Sequence, residues 1–135
     1  MPREAAMISI VDDDRSVREA VKSLLRSLGH DAVTFASAED YLGSDCIRDS
    51  ECLITDVQMP GMTGFDLRDR LIAGGYRQPI IFMTALSAEE VPFRANEAGA
   101  CGFLRKPFTD ERLIECLNKA LKLANARALH AFELA

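Results

Sequence analysis

The sequence predicts an α/β domain built on one parallel sheet of five strands, each followed by a helix. Two observations support this prediction. Short apolar runs alternate along the 135 residues with amphipathic stretches of helical period. Glycine, proline and short polar clusters separate the two kinds of segment. Because parallel strands need crossover connections, a repeated strand–helix order covers both faces of a single sheet with helices.

Five short apolar runs give the predicted strands. They are expected over residues 7–11, 31–36, 52–55, 79–83 and 101–104. The third and fourth runs contain almost no polar residues, which is typical of strands buried on both faces. Right-handed crossovers then bring the carboxyl ends of all the strands to one edge of the sheet, where ligands bind in folds of this class.

Five helices are predicted after these strands. They are expected over residues 15–28, 37–43, 65–72, 87–98 and 110 to about 128 or beyond. Gly29 is placed to end the first helix, and Ser37 and Thr109 are placed to cap the second and the fifth. The segment VQMPGMTG, residues 57–64, is rich in turn-forming residues and is predicted to be a loop.

Composition excludes several classes of protein. A net charge of -5 argues against a nucleic-acid-binding face, which needs clustered basic residues. No apolar run approaches the roughly 18 residues of a membrane span, and the N-terminus lacks a signal-peptide pattern, so a cytoplasmic protein without membrane contact is expected. The cysteines form no C-x-x-C pair and are interpreted as reduced, small apolar residues. They are Cys46, Cys52, Cys101 and Cys116.

Reactive side chains follow four of the five predicted strands. Asp12 and Asp13 follow the first strand, Asp56 follows the third, Thr84 follows the fourth, and Lys106 lies just beyond the fifth. Because the carboxyl ends of the strands share one edge, these side chains are expected to converge there. Three carboxylates in one place need a counter-charge, and a hard divalent cation such as Mg²⁺ binds oxygen ligands of this kind.

This set of residues suits phosphoryl transfer, where positioning and charge neutralisation provide most of the catalysis. No glycine-rich phosphate-binding loop is present, so a nucleotide is not the obvious phosphoryl donor. A carboxylate can itself be the nucleophile and carry the phosphoryl group as an aspartyl phosphate. Asp56, the lone carboxylate at the end of the third strand, is the natural candidate.

Four motifs connect these residues to a known family. They are IVDDD, ITDVQMPGMTG, FMTA and FLRKPF. With them in this order and spacing, residues 7–124 resemble the receiver domain of two-component response regulators. The resemblance implies a flavodoxin-like, doubly wound (βα)5 sheet with strand order 2-1-3-4-5. The segments FASAEDYL and VPFRANEAGA are similar to the nitrogen-fixation type of regulator, whose receivers usually precede a helix-turn-helix output domain.

The resemblance also implies a role for each metal-binding and acceptor residue. Asp56 would accept a phosphoryl group from a sensor histidine kinase. Asp13 and Asp56 would bind Mg²⁺ directly, Asp12 would act largely through water, and the backbone carbonyl of Gln58 would complete the protein ligands. Asp14 is interpreted differently, as a residue of the helix start.

The remaining roles concern the phosphoryl group and the switch. Thr84 and Lys106 would contact the phosphoryl group, and the Lys106–Pro107 bond would be cis. Phe103 matches the family's aromatic switch residue, which turns inward as Thr84 moves. It is Phe rather than Tyr, so no hydroxyl is available for a hydrogen bond at that position.

The resulting prediction is a phosphoacceptor domain over residues 1–124, followed by a helix extension or linker over residues 125–135. Such a domain catalyses only its own phosphorylation and slow dephosphorylation. Phosphorylation would alter the face formed by the fourth helix, fifth strand and fifth helix, and so promote a homodimer or release a DNA-binding output domain. Two alternatives remain open, a metal-dependent phosphohydrolase and a stand-alone receiver that acts only through protein–protein interaction.

Overall fold

The computed structural model describes residues 6–85 and 102–134, with side chains described as far as residue 124 in the last helix. Five parallel strands form one sheet with the order β2-β1-β3-β4-β5, which confirms the predicted fold class and strand order. The strands are β1 (Met7–Val11), β2 (Asp31–Phe35), β3 (Cys52–Asp56), β4 (Ile80–Thr84) and β5 (Gly102–Arg105).

Four helices are present in the described part of the chain. They are α1 (Arg15–Ser27), α2 (Ala38–Leu42), α3 (Gly64–Ala73) and the C-terminal helix (Asp110–Leu134). None of them contains an apolar stretch long enough to cross a membrane. The helix predicted over residues 87–98 and the cysteine at 101 lie outside the described residues.

Strand ends differ slightly from the prediction, in a way that bears on the site. β3 and β4 each extend one residue further than expected, so Asp56 and Thr84 are the last residues of their strands and not the first residues of loops. Ladder pairing explains the difference, because Asp56 still pairs with Met83 and Thr84 with Arg105. Both reactive side chains are therefore held by regular sheet backbone.

Side-chain caps fix the points at which the helices begin. The carboxylate of Asp14 accepts the Ser16 amide proton at 2.8 Å, which makes Asp14 the N-cap of α1 and confirms its interpretation as a helix-start residue. Ser37 caps α2 in the same way. Thr63 and Asp66 form a reciprocal capping box at the start of α3, a pattern that the sequence contains as T-x-x-D.

The sheet separates two apolar cores. Residues of β1, β3, β4 and β5 that point to one side pack against α1 and the C-terminal helix, with Ile10, Leu25 and Leu117 almost fully buried. Residues that point to the other side pack against α2 and α3, around Phe82 and Leu67. Helices on both faces are the doubly wound arrangement that the alternation of strands and helices predicts.

A close backbone contact sets the distance between β3 and α3. A Cβ atom built on Gly64 would lie 2.4 Å from the carbonyl oxygen of Asp56, far inside van der Waals contact. The amide of Gly64 also donates to the carbonyl of Val57 at 3.0 Å. The first turn of α3 therefore lies directly against the backbone of Asp56, and only glycine permits this approach.

Candidate functional site

The carboxyl edge of the sheet gathers the predicted residues in one place. Asp12 follows β1 and is fully buried, Asp56 ends β3 with 5% of its surface exposed, and Thr84 ends β4 fully buried. Lys106 follows β5, and its side chain is 21% exposed. Asp13 faces solvent beside them. The convergence expected from the strand order is thus present in the structure.

Lys106 provides the positive charge within this group. Its Nζ atom lies 2.8 Å from Oδ2 of Asp12 and 3.5 Å from Oδ1 of Asp56. Asp12 and Lys106 are 94 positions apart in the chain, so only the fold brings them together. Burying a carboxylate costs several kcal/mol unless it is paired and hydrogen-bonded, and Lys106 supplies that pairing.

Hydrogen bonds fix both the side chain and the backbone of Asp12. Its Oδ1 atom accepts the amide proton of Asp14 at 2.8 Å, while Oδ2 accepts from Lys106. Its own amide donates to the carbonyl of Phe35 at 3.1 Å, which continues the ladder between β1 and β2. Its carbonyl accepts Nη1 of Arg18 at 2.8 Å. The sequence reasoning assigned no function to Arg18.

The three carboxylates fit a cation. One oxygen from each of Asp12, Asp13 and Asp56 lies within 4.8 Å of the others, so a small movement would bring all three around one ion. If all three are ionised, a single ammonium leaves the group with two negative charges in excess. Both oxygens of Asp12 already accept hydrogen bonds, one from the Asp14 amide and one from Lys106.

Burial and the neighbouring charges shift the pKa values of both Asp56 and Lys106. Burial, together with the nearby charge of Asp12, raises the pKa of Asp56 from its ordinary 3.8 to about 6, although Lys106 opposes the shift. Burial alone would lower the pKa of Lys106, but its hydrogen bond and charge interaction with Asp12, reinforced by Asp56, outweigh burial and raise it. Lys106 is therefore a cation at all physiological pH values.

The other predicted residues lie on β4, on β5 and in the loops that follow β3 and β5. The amide of Lys106 donates to the carbonyl of Thr84 at 2.7 Å, so the two residues share a backbone hydrogen bond. The Lys106–Pro107 peptide bond is cis. Phe103 is half-buried against the core on the side of α2 and α3, and it pairs in register with Phe82. Gln58 lies in the exposed loop after β3.

A sheet of order 2-1-3-4-5 with acidic residues and a lysine at its carboxyl edge defines the class of receiver-like signalling domains. The profile of the response regulator receiver domain matches residues 8–118, so the chain belongs to this family and is a receiver domain of two-component signalling. This finding confirms the family that the four motifs indicated.

Several relatives are transcriptional regulators or response regulators by name. Response regulator protein TodT of Pseudomonas putida is 40% identical over 92% of this chain and 55% of its own length. Transcriptional regulatory protein TdiR of Thauera aromatica is 36% identical over 88% of this chain and 52% of its own. Transcriptional regulatory protein FixJ of Azorhizobium caulinodans, a regulator of the nitrogen-fixation type, is 35% identical over 87% and 56%. The chain thus spans about half the length of these relatives.

Solved structures agree with the fold. The response regulator StyR superposes with a TM-score of 0.88 at 36% identity, over 98% of this chain and 66% of that one. The chemotaxis protein CheY4 of Vibrio cholerae superposes with a TM-score of 0.77 at 31% identity, over 87% of this chain and 99% of that one. The match to CheY4 therefore includes nearly the whole of that protein and most of this chain.

The raised pKa of Asp56 predicts that this residue destabilises the metal-free domain as the pH rises. The folded state releases its proton near pH 6, whereas the unfolded state releases it near 3.8, so the contribution of Asp56 to the free energy of unfolding falls between these values and stays low above them. Asp56→Asn removes the cost of the charge. It is expected to raise the free energy of unfolding by up to about 3 kcal/mol at about pH 7.5, and to change it little at about pH 4.

Urea denaturation in EDTA, followed by circular dichroism, measures this difference. Asp45→Asn, at an exposed position, is the control and should behave like the wild type at both pH values. Equal stability of Asp56→Asn and the wild type near pH 7.5 would show that the charge of Asp56 carries no cost.

Proposed function

We propose that this domain accepts a phosphoryl group on Asp56 in a Mg²⁺-dependent reaction, with a sensor histidine kinase as the donor. One observation carries the proposal most directly. Asp56 is a nearly buried carboxylate at the end of the middle strand, 3.5 Å from a lysine ammonium and beside two further carboxylates. A nucleophilic carboxylate next to a fixed cation and a cation-binding cluster is the arrangement that aspartyl phosphate formation requires.

Mg²⁺ would be held by the carboxylates of Asp13 and Asp56 and by the backbone carbonyl of Gln58, with Asp12 acting through water. When bound, the ion neutralises charge on the phosphoryl oxygens and orients them. The fit rests on the carboxylate oxygens, which lie within 4.8 Å of one another, and on an excess of negative charge that a single lysine does not balance.

The chain's own residues have separate tasks in the transfer. An oxygen of the Asp56 carboxylate attacks phosphorus and forms an acyl phosphate. The nitrogen–phosphorus bond of the phosphohistidine breaks, and its electron pair stays on the histidine of the kinase. Lys106 interacts with the charge of the transferred group, and the hydroxyl of Thr84 donates to a phosphoryl oxygen. The raised pKa of Asp56 reflects the cost of its buried charge beside Asp12, and a bound cation would offset that cost.

An apolar groove beside Lys106 supports a protein donor. It has a volume of about 540 Å³ and runs between α1 and the start of the C-terminal helix. Its walls in the described residues include Val17, Ala20, Leu24, Pro107 and Phe108. A kinase helix that carries the phosphohistidine could lie in this groove with the phosphorus facing Asp56.

On this proposal the domain is a phosphoacceptor in the cytoplasm that catalyses only its own phosphorylation and dephosphorylation.

The proposed output is control of a partner or of a DNA-binding domain outside residues 1–124. The match covers only 52% and 56% of two relatives named as transcriptional regulators, which supports an output domain beyond it. Residues 125–135 would then be a helix extension or the start of a linker, and the C-terminal helix runs unbroken from Asp110 to Leu134. DNA would be contacted only through that further domain.

Acetyl phosphate with Mg²⁺ tests the acceptor directly. The wild-type chain is expected to gain about 80 Da, the mass of one phosphoryl group on a carboxylate nucleophile, in an alkali-labile adduct. Asp56→Asn should gain nothing, and Asp69→Asn, which alters an exposed aspartate on α3, should behave like the wild type. The same adduct on Asp56→Asn, or none on the wild type, would refute the proposal. Turnover of a generic phosphomonoester would instead favour a phosphohydrolase.

Lys106 is predicted to compete with Mg²⁺ for the carboxylates while assisting the transfer. Lys106→Met removes the ammonium that lies 2.8 Å from Asp12, so Mg²⁺ should bind about tenfold more tightly. Phosphorylation by acetyl phosphate should nevertheless become about 100-fold slower, because a cation facing the transferred group is lost. Lys119→Met, at an exposed position on the C-terminal helix, is the control. Weaker Mg²⁺ binding by Lys106→Met would show that the lysine supports metal binding and does not compete with it.

Phosphorylation is proposed to act on Thr84 and Phe103 and, through them, on the surface around β5. Phe103 is half-buried, and on this proposal it moves further into the core as Thr84 shifts toward the phosphoryl group. The expected outcome is a homodimer. Sedimentation velocity with Mg²⁺ and beryllofluoride should show a larger sedimentation coefficient for the wild type but not for Asp56→Asn. No change in the wild type would rule out dimerisation of this chain.

A further inference from the structure

We propose that Arg18 is a positioning residue of the acidic site, and this inference rests on the proposed function. Arg18 lies in the first turns of α1, and its Nη1 atom donates to the carbonyl oxygen of Asp12 at 2.8 Å. That carbonyl belongs to the peptide plane that joins Asp12 to Asp13. Arg18 therefore fixes the orientation of the backbone unit between two of the three carboxylates.

The hydrogen bond from Arg18 also affects the side chain of Asp12. Its Oδ1 atom accepts the amide proton of Asp14, and its Oδ2 atom accepts from Lys106. Rotation of the plane between Asp12 and Asp13 would move the Asp14 amide and turn the exposed side chain of Asp13. One hydrogen bond from Arg18 thus maintains the geometry of both aspartates.

The bond of Arg18 also satisfies a buried acceptor. Asp12 is fully buried, and a buried carbonyl without a donor is costly, so the guanidinium replaces a ladder partner where β1 has ended. The backbone of Arg18 is fixed as well, because its amide donates to the carbonyl of Asp14 at 3.1 Å. The side chain of Arg18 therefore reaches across the turn after β1 to the carbonyl of Asp12 from a fixed backbone position.

A simple surface charge would have the opposite effect on metal binding. A nearby cation repels Mg²⁺, so removing the charge of a bystander arginine would leave the affinity unchanged or increase it. Removing a positioning residue should weaken binding despite the relief of repulsion, as loss of groups that orient metal ligands commonly does. The direction of the change therefore separates the two roles.

The experiment compares Mg²⁺ affinity by isothermal titration for the wild-type chain and three variants. Arg18→Met keeps an unbranched apolar stem without the guanidinium donors, and about a tenfold loss of affinity is expected. Arg18→Lys retains one donor and should recover most of that loss. Arg15→Met removes the same charge from an exposed position at the start of the same helix and should bind Mg²⁺ at least as tightly as the wild type. If Arg18→Met does not fold, Arg18→Gln takes its place in the comparison.

A second measurement does not depend on metal binding. Hydrogen exchange by NMR in EDTA should show faster exchange of the Asp14 amide in Arg18→Met, and normal exchange of the Ser16 amide, whose acceptor is Asp14. If the wild type binds no Mg²⁺, the proposed function fails while the exchange rates still decide the role of Arg18. Unchanged exchange at Asp14, or Mg²⁺ binding by Arg18→Met as tight as in the wild type, would overturn the inference.

Discussion

The crowding of negative charge at the carboxyl edge of the sheet is the constraint on which the rest of this domain depends. Three carboxylates lie within reach of one cation, and Asp12 among them is fully buried. Such a group is unfavourable unless every oxygen has a partner. Two hydrogen bonds reduce that electrostatic cost, because Lys106 after β5 and the amide of Asp14 in the turn after β1 both donate to the carboxylate of Asp12. The raised pKa of Asp56 reflects the part of the cost that remains.

The scaffold makes this cost tolerable because it is rigid around the site. Asp56 and Thr84 are ladder residues of neighbouring strands, so their backbones are held by the sheet. The capping box at Thr63 fixes the start of α3, and Gly64 lets that start contact the carbonyl of Asp56 directly. A fold that stores unfavourable charge at one edge needs strong packing elsewhere, and the two cores on either side of the sheet provide it.

The sequence allows much of this to be predicted, for identifiable reasons. The meeting of Asp12, Asp56 and Lys106 follows from the alternation of strands and helices, because parallel strands bring their carboxyl ends to one edge. The strand order comes from the family resemblance and not from the alternation. Helix starts at Asp14 and Ser37 follow from local capping preferences.

Other features depend on contacts that periodicity does not encode. Nothing in the pattern around Arg18 distinguishes a side chain that turns back to a carbonyl from one that faces solvent. The need for glycine at position 64 arises from a backbone 8 positions earlier, at Asp56, and appears only when α3 is placed against β3. The capping box at Thr63 is different, since its T-x-x-D pattern was available in the sequence and would have placed the start of α3 correctly.

The backbone hydrogen bond between Thr84 and Lys106 has a mechanical consequence. At 2.7 Å it joins the ends of β4 and β5, so the two residues proposed to contact the phosphoryl group are linked through their backbones. If the proposed function holds, a shift of Thr84 toward a phosphoryl group would pull on the backbone of Lys106 through this bond. The pull would reach β5, which is an edge strand of the sheet and is open to a partner that does not contact the acidic residues.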